Sequence, residues 1–226
     1  MHHIYHTEGI ILGSKNFGEA GKNYIIFTRD LGMIYASAQG IRKNFSKLRF
    51  VLQDFNYLKI DLVRGKDFWR ITSVIKTNQF ENLLKYPATL KIFVNISNLL
   101  KRLLAGEESN EVLFNDLLNG FSGLEKSLLN ATRHSAQHEI QGQTFGASLR
   151  SDLGFPACQQ LQNIEIIIVL RILNNLGYIG NDKMLEGLIK SPIEEILFEV
   201  PQTRLNPQNK DKIFSQINKI LKETHL

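Results

Sequence analysis

The chain has 226 residues, of which 43% are hydrophobic and 22% are charged. This length suits one large or two modest domains, and the composition is typical of a folded globular protein rather than a disordered one. The 27 Lys and Arg outnumber the 22 Asp and Glu, which gives a formal net charge of +5. Because Cys158 is the single cysteine, an internal disulfide and a four-thiolate zinc site are both excluded.

The sequence predicts neither a signal peptide nor a membrane span. Glu8 interrupts the apolar region near the N-terminus, where a signal peptide needs a continuous apolar segment. The longest apolar run, Ile166–Leu170, is far shorter than the roughly 20 residues that cross a bilayer. We therefore expect a soluble, cytoplasmic protein with no membrane partner.

The excess positive charge lies in the first third of the chain. Residues 1–80 contain twelve Lys and Arg against six Asp and Glu, whereas residues 81–226 contain fifteen against sixteen. No acidic residue occurs between Asp30 and Asp54, yet four cations fall within eight residues there: Arg42, Lys43, Lys47 and Arg49. Such asymmetry indicates contact with nucleic acid or another acidic surface, although a charge run alone also suits a solvated loop.

Residues 4–76 have the pattern of short strands separated by turns. The predicted strands are Thr7–Leu12, Asn23–Thr28, Met33–Ala38, Phe55–Val63 and Phe68–Ile75. Five strands with turns at regular intervals and a long connection after the third predict an OB-like barrel, with a small SH3-like barrel as the alternative.

After Phe80 the apolar period becomes helical. Apolar residues recur with helical spacing over residues 90–104, 113–124 and 132–153, which predicts three amphipathic helices. A further helix, apolar nearly all round, is predicted over Ile164–Leu176; it should lie at the centre of the domain and end at Gly177. Ser191-Pro192 and Asn206-Pro207 predict further helix starts. The predicted fold is therefore α+β, with a barrel domain at 1–80 and an all-helical domain at 81–226.

The sequence offers no convincing active site, and we expect neither catalysis nor a cofactor or small-molecule substrate. Gly18–Asn23 superficially resembles a phosphate-binding loop but lacks its spacing and the hydroxyl that would hold magnesium, so a strand-connecting turn is favoured. His134 and His138 share one helix face without a third metal ligand, and Cys158 has no histidine nearby in a recognisable motif. We expect no metal site, including at His2, His3 and His6.

Aromatic residues are interleaved with the cations of the barrel. Phe45 and Phe50 flank the Lys47–Arg49 segment, and Phe68-Trp69-Arg70 opens the last strand. Single strands bind to basic grooves that also offer aromatic faces for stacking. We expect most of Phe50, Phe55 and Phe68 to lie in the barrel core. Whether Trp69 is core or exposed for stacking stays open, because Trp69 and Phe68 must face opposite sides of the strand.

These residues resemble a known family, that of the bacterial recombination mediator RecO. The resemblance is specific over about residues 4–75 and thin beyond. It is carried by Ile4–Leu12, Gly18-Glu19-Ala20, Phe27-Thr28-Arg29 with Gly32, Gly40–Lys43, Ser46–Arg49 and Leu52–Phe55, and later by Leu170–Tyr178. The chain departs from the family pattern in lacking the four zinc cysteines, which implies a metal-free variant, and in carrying Gly21 where members often have an acid.

The resemblance implies an N-terminal OB-fold, a C-terminal helical domain without a zinc finger, and a role in recombinational DNA repair. It implies binding to single- and double-stranded DNA, strand annealing, contacts with RecR and the single-strand-binding protein, and help in loading RecA. The DNA contacts that it supports are Arg42, Lys43, Lys47 and Arg49, and less directly Lys15, Lys22 and Arg70; Trp69 is added as a stacking candidate.

Two other functions stay open from the sequence. One is a protein-interaction module whose basic barrel loop binds acidic protein tails instead of DNA. The other is an enzyme that uses His134 and His138 with a bound metal.

Overall fold

The computed structural model describes residues 3–77, 79–140, 155–180, 183–193 and 207–223. Strands come first and helices follow, as predicted. The strands are β1 (Ile4–Phe17), β2 (Gly21–Thr28), β3 (Gly32–Ala38), β4 (Tyr57–Arg64) and β5 (Trp69–Lys76). The described helices are α1 (Pro87–Leu103), α2 (Glu111–Ile140), α3 (Phe155–Asn175), α4 (Lys183–Lys190) and α5 (Pro207–Glu223).

The five strands form a closed barrel in the order β1-β2-β3-β5-β4. Strand β1 is long enough to pair antiparallel with β4 through its first half and with β2 through its second half. The β1–β2 pairing has a register shift between Ile11 and Gly13, near the point where β1 stops pairing with β4. A short parallel pairing, Ala36 with Trp69 and Ser37 with Arg70, joins β3 to β5 and closes the barrel. The predicted OB-like barrel is confirmed.

Alternating side chains of the strands fill the barrel. Leu58, Ile60 and Leu62 of β4 share one face of the strand and point inward. Two residues of the β3–β4 connection, Ile41 and Leu52, are also buried in this core. The rest of the cluster is supplied by Ile11, Tyr24, Ile26, Ile34, Ala36, Ala38, Trp69 and Ile71. The connection is thus part of the barrel at both of its ends.

One glycine is required at the turn between β2 and β3. Gly32 has a φ of 69°, a conformation that side chains other than glycine rarely adopt. The backbone of Glu108 also occupies the position that a Cβ on Gly32 would need. The segment after α1 therefore lies directly against the barrel at this turn, where the Met33 amide donates to the Gly106 carbonyl at 3.1 Å.

The chain divides into two compact units, and neither is a single continuous segment. The first consists of Met1–Glu81 and Phe93–Phe114, and the second of Asn82–Ile92 and Asn115–Leu226. Helix α1 begins in the second unit and ends in the first. The division at residue 80 stays a prediction, and the first unit adds residues 93–114 to the barrel.

Helix α2 differs from the prediction, because a single helix covers residues for which the sequence predicts two helices, at 113–124 and from 132 onward. It runs from Glu111 to Ile140 without a break, and the remainder of the predicted 132–153 helix lies outside the described residues. Gly120 lies so close to Ile168 of α3 that an added Cβ would be 2.6 Å from that side chain. This glycine therefore permits the close packing of α2 on α3.

Helix α3 is buried nearly all round, as its composition predicted. Ile164, Ile167 and Leu173 are fully enclosed. The helix ends in a Schellman motif, in which the Tyr178 amide donates to Leu173 O and the Gly177 amide to Asn174 O. Gly177 has the φ of 76° that this motif requires, so the predicted stop is confirmed. No helix of the described ranges is long and apolar enough to cross a membrane.

Candidate nucleic-acid interface

The connection between β3 and β4 holds four of the predicted cations on a loop that is fixed at both ends. Buried Ile41 and Leu52 anchor it to the barrel core. Between them a 3-10 turn spans Lys47–Phe50, and the Leu52 amide donates to Leu48 O at 2.8 Å. We call residues 42–51 the basic loop. Its cations, Arg42, Lys43, Lys47 and Arg49, are all exposed.

The hairpin that joins β1 to β2 lies beside the basic loop. The Arg42 amide donates to Ala20 O at 3.0 Å, and the Arg42 guanidinium donates to Gly18 O at 3.4 Å. The same hairpin carries Lys15 and Lys22, on the two strands that it connects. Two segments that are separate in sequence thus form one basic surface.

Three of these cations line a single pocket of about 270 Å³. The basic groups are Lys22 from the hairpin and Arg42 and Arg49 from the basic loop. The remaining wall is formed by Tyr24, Ile41 and Leu52. Converging lysine and arginine groups suit a phosphate, which accepts several charge-assisted hydrogen bonds at once.

Tyr24 supplies a polar group at this pocket. Its hydroxyl donates to Leu52 O over a long 3.4 Å. Burial raises the pKa of Tyr24 to about 12, and the carboxylate of Asp54 adds to the shift. The hydroxyl is therefore neutral at neutral pH, and its proton is donated to Leu52 O.

The predicted cations are not paired with carboxylates in the described part of the chain. Among the described residues, no ion pair is formed by Lys15, Lys22, Arg42, Lys43, Lys47, Arg49 or Arg70. Other cations of the barrel are paired, as Arg29 is with Glu8 and Arg64 with Glu107. Positive potential is therefore concentrated on the basic loop and the hairpin.

Arg70 does not join this group. It is exposed on β5, where it pairs in register with Ser37 and Val63, and it does not line the pocket. The structure therefore brings Lys22, Arg42 and Arg49 together at the pocket, with Lys43 and Lys47 on the same loop and Arg70 on a separate strand.

Trp69 is a core residue, which corrects its selection as a stacking candidate. Its side chain is 4% exposed, and its indole Nε1 donates to Glu107 at 3.0 Å. The ring packs edge-on against Tyr5, with 5.0 Å between centroids. A ring enclosed in this way has no free face for a nucleobase.

The expectation that Phe50 and Phe68 are core was wrong. Phe50 is 61% exposed and Phe68 is 46% exposed. Phe68 is outward because its neighbour Trp69 takes the inward position, and Phe50 is outward because Leu48 and Val51 supply the apolar contacts of its turn with the core. Phe55 is half-buried and packs against Phe93, with centroids 6.3 Å apart.

Sequence reasoning did not predict that a cation of α1 lies beside β1. The ammonium of Lys101, in the last turn of α1, lies 3.7 Å from where a Cβ on Gly13 would be. The helical period predicted only that Lys101 is on α1. No sequence signal shows that this part of the helix meets β1, because that contact is tertiary.

Among the described residues, the other sequence candidates do not assemble into a reactive site. Gly18–Ala20 is the turn of the β1–β2 hairpin, as expected. The His6 Nδ1 lies 2.6 Å from Asp61, and the His3 ring packs on Tyr5. Within the part of the chain that the structure describes, no three His, Cys, Asp or Glu residues could hold a metal ion. His2 and the side chains of His134, His138 and Cys158 lie outside the described residues.

Comparison with known proteins identifies relatives of this chain. Residues 1–80 match the family described as Recombination protein O N terminal. The DNA repair protein RecO of Clostridium novyi (strain NT) is 28% identical over 152 residues, covering 67% of this chain and 57% of that protein. The chain thus matches less than two thirds of the length of that relative.

Two further relatives carry the same name. The DNA repair protein RecO of Alkaliphilus metalliredigens (strain QYMF) is 26% identical over 236 residues, covering 96% of this chain and 90% of that protein. The one from Desulfitobacterium hafniense (strain DSM 10664 / DCB-2) is 31% identical over 80 residues, which is 35% of this chain and 29% of that protein. Both relatives are described as DNA repair proteins. The closed five-stranded barrel, the match of residues 1–80 to that N-terminal family and the alignment along nearly the whole chain show that this protein is similar to the RecO proteins.

Proposed function

We propose that this chain is a non-enzymatic DNA-binding protein of recombinational repair. It binds single- and double-stranded DNA and promotes the annealing of complementary strands. The observation that carries the proposal is the basic surface of hairpin and loop, whose cations have no carboxylate partner among the described residues. A surface of this kind is what phosphate recognition needs.

Annealing by such a surface requires no bond to be made or broken. Two complementary strands repel each other through their phosphates, and cations that neutralise those phosphates lower the repulsion. The pocket lined by Lys22, Arg42 and Arg49 would hold one phosphate, while Lys43 and Lys47 would meet its neighbours. Lys15 and Arg70 are outlying contacts in this scheme.

The proposed partners come from the family resemblance. They are DNA, RecR and the single-strand-binding protein, and the proposed outcome of these contacts is the loading of RecA onto coated single strands. Composition and geometry do not select among these proteins. They do support a polyanion, because the basic surface is positively charged and forms no ion pair with the described acidic residues.

Single-strand binding and annealing, measured at several salt concentrations, test this proposal. We expect submicromolar to micromolar binding at low salt, a linear fall of log affinity with log salt, and annealing faster than that of the free strands. A protein that binds acidic peptides but neither DNA form would instead be an interaction module, and the proposal would be overturned.

A further inference from the structure

Two phenylalanines of the basic loop are exposed, although other apolar residues of this region pack into the barrel. Leu48 and Val51 pack against the barrel core, and Leu52 is part of it. Phe45 is 82% exposed and Phe50 is 61% exposed. Burying an aromatic ring stabilises a fold more than burying a valine does. The loop thus presents its two largest apolar groups to solvent, so packing within the barrel does not explain them.

Each of the two rings is accompanied by a cation of the same loop. The Lys43 ammonium lies 5.9 Å from the centroid of Phe45, and the Arg49 guanidinium lies 4.6 Å from that of Phe50. Both distances are within the range of a cation–π contact. The loop therefore repeats one arrangement twice, namely an exposed ring with a positive charge beside it.

A nucleotide of an unpaired strand has the matching pair of groups. Its base offers an apolar face that stacks on an aromatic ring, and its phosphate accepts bonds from a lysine or arginine. In a duplex the base faces are already stacked on each other, so only the phosphates are available. Ring-and-cation pairs can consequently distinguish unpaired from paired DNA, whereas cations alone cannot.

We propose that Phe45 and Phe50 form a stacking site for unpaired nucleobases and determine the preference of this surface for single strands. The inference rests on the proposed function, since it assumes that the basic loop binds DNA. Lys43 and Arg49 hold the phosphates of the same nucleotides, and the pocket behind Arg49 fixes a further phosphate of the strand.

The experiment uses the full chain, a double variant F45A/F50A and a matched control, F68A, which removes an exposed phenylalanine outside the basic loop. Binding is measured to three probes of equal length, namely an oligothymidine, the same strand with abasic sites in place of bases, and a blunt duplex. Thermal unfolding of each variant confirms that the barrel is intact.

We expect F45A/F50A to bind oligothymidine at least about tenfold more weakly, because each stacked base contributes substantially to affinity. Its affinity for the duplex and for the abasic strand should stay within about twofold of the unaltered chain. The salt slope should not change, because no phosphate contact is lost. F68A should match the unaltered chain on all three probes.

A second variant reports on stacking directly. In F45W the new indole is exposed, whereas the natural Trp69 is buried, so quenching on DNA binding reports the new ring. We expect quenching by oligothymidine and little by the abasic strand.

The outcomes separate the inference from the proposed function. If the unaltered chain binds DNA but F45A/F50A loses nothing on oligothymidine, or loses equally on duplex and abasic strands, the stacking site is overturned and the proposed function stands. If the unaltered chain binds none of the three probes, both are overturned.

Discussion

Trp69 joins three parts of the barrel unit through its ring and its indole nitrogen. Its Nε1 donates to Glu107, its edge meets Tyr5, and the Arg64 guanidinium lies 4.7 Å from the ring centroid. Replacing Trp69 by alanine should therefore lower the free energy of unfolding by about 3–5 kcal/mol, because it leaves a large cavity. Urea denaturation measures the loss.

Phe68 provides the matched control for Trp69. It is the adjacent residue, it is also aromatic, and it is half-exposed at 46%. F68A should change the free energy of unfolding by no more than about 0.5 kcal/mol, as is usual for surface substitutions. A W69A variant as stable as the unaltered chain would show that the tryptophan is not part of the core.

Glu8 is the centre of a second network in the barrel unit. The Tyr57 hydroxyl donates to its Oε2 at 2.8 Å, and the Arg29 guanidinium donates to the same oxygen at 2.9 Å. Burial alone would raise the pKa of Glu8, but these hydrogen bonds and the charge of Arg29 together lower it. The ionised carboxylate is thus bound more tightly in the folded chain than in the unfolded one.

This shift predicts how the stability depends on pH. Because the folded pKa of Glu8 is below its unfolded value, the unfolded chain takes up the proton first as the pH falls. The stabilisation is complete above the ordinary carboxyl range and is lost as the pH falls through the lowered folded pKa. E8Q should cost about 1–3 kcal/mol at pH 7, and the difference from the unaltered chain should shrink below about pH 4. A difference independent of pH would contradict this account.

The proposed DNA contacts of the basic loop predict how binding depends on salt. If Lys43 and Lys47 each neutralise a phosphate, replacing both by alanine removes two counterion-release steps of about 0.7 each. We expect the slope of log affinity against log salt to fall by about 1 to 1.5 on single strands, with little regard to base sequence. Stability should barely change, because neither lysine forms an ion pair with a described residue.

Two lysines elsewhere on the barrel are the control for this double variant. Lys59 is exposed on β4, and Lys66 is exposed in the turn between β4 and β5. K59A/K66A removes the same charge from the protein but none from the basic loop, so its slope should stay close to that of the unaltered chain. Equal slopes for both double variants would mean that net charge, not the loop, governs binding.

The strands could be predicted well because their pattern is local. Alternation placed Leu58, Ile60 and Leu62 on one face of β4, and the barrel interior is where the structure has them. Alternation also required Phe68 and Trp69 to face opposite sides, but it could not say which one is inside. That choice depends on Glu107, which comes from a distant part of the chain and accepts the indole hydrogen bond.

The candidate site could be predicted only in part, for a related reason. The charge of the basic loop is visible in the sequence, since no acid occurs from residue 31 to residue 53. The convergence of Lys22 with Arg42 and Arg49 is not visible, because it depends on the hydrogen bonds that tie Arg42 to the β1–β2 hairpin. Phe50 was misassigned because its neighbours Leu48 and Val51 take the inward positions of a 3-10 turn, which has no clear sequence period.

At the scale of the whole molecule, the unit that contains the barrel extends beyond residue 80 to include Phe93–Phe114. Phe114 packs near Phe27, with centroids 5.5 Å apart, and near Tyr57, at 6.3 Å. Glu107 binds Trp69, and Glu111 lies 3.4 Å from Arg29. A fragment that ends at residue 80 loses all of these contacts, whereas a fragment that ends at residue 114 keeps them.

The two fragments make a controlled comparison because their charges are equal. Residues 81–114 contain four basic and four acidic residues, so fragments 1–80 and 1–114 both carry a net charge of +6, and the remaining segment 115–226 carries −1. We expect 1–114 to unfold cooperatively and to bind DNA with the salt slope of the full chain. Fragment 1–80 should melt at a lower temperature or lack a transition, because apolar surface around Phe27 and Tyr57 is uncovered. Segment 115–226 should bind far more weakly.

Two results would contradict these expectations. If segment 115–226 bound DNA as tightly as the full chain, the basic barrel would not be the DNA-binding part. If fragment 1–80 melted at the same temperature as fragment 1–114, the Phe114 contacts would contribute nothing to the stability of the barrel.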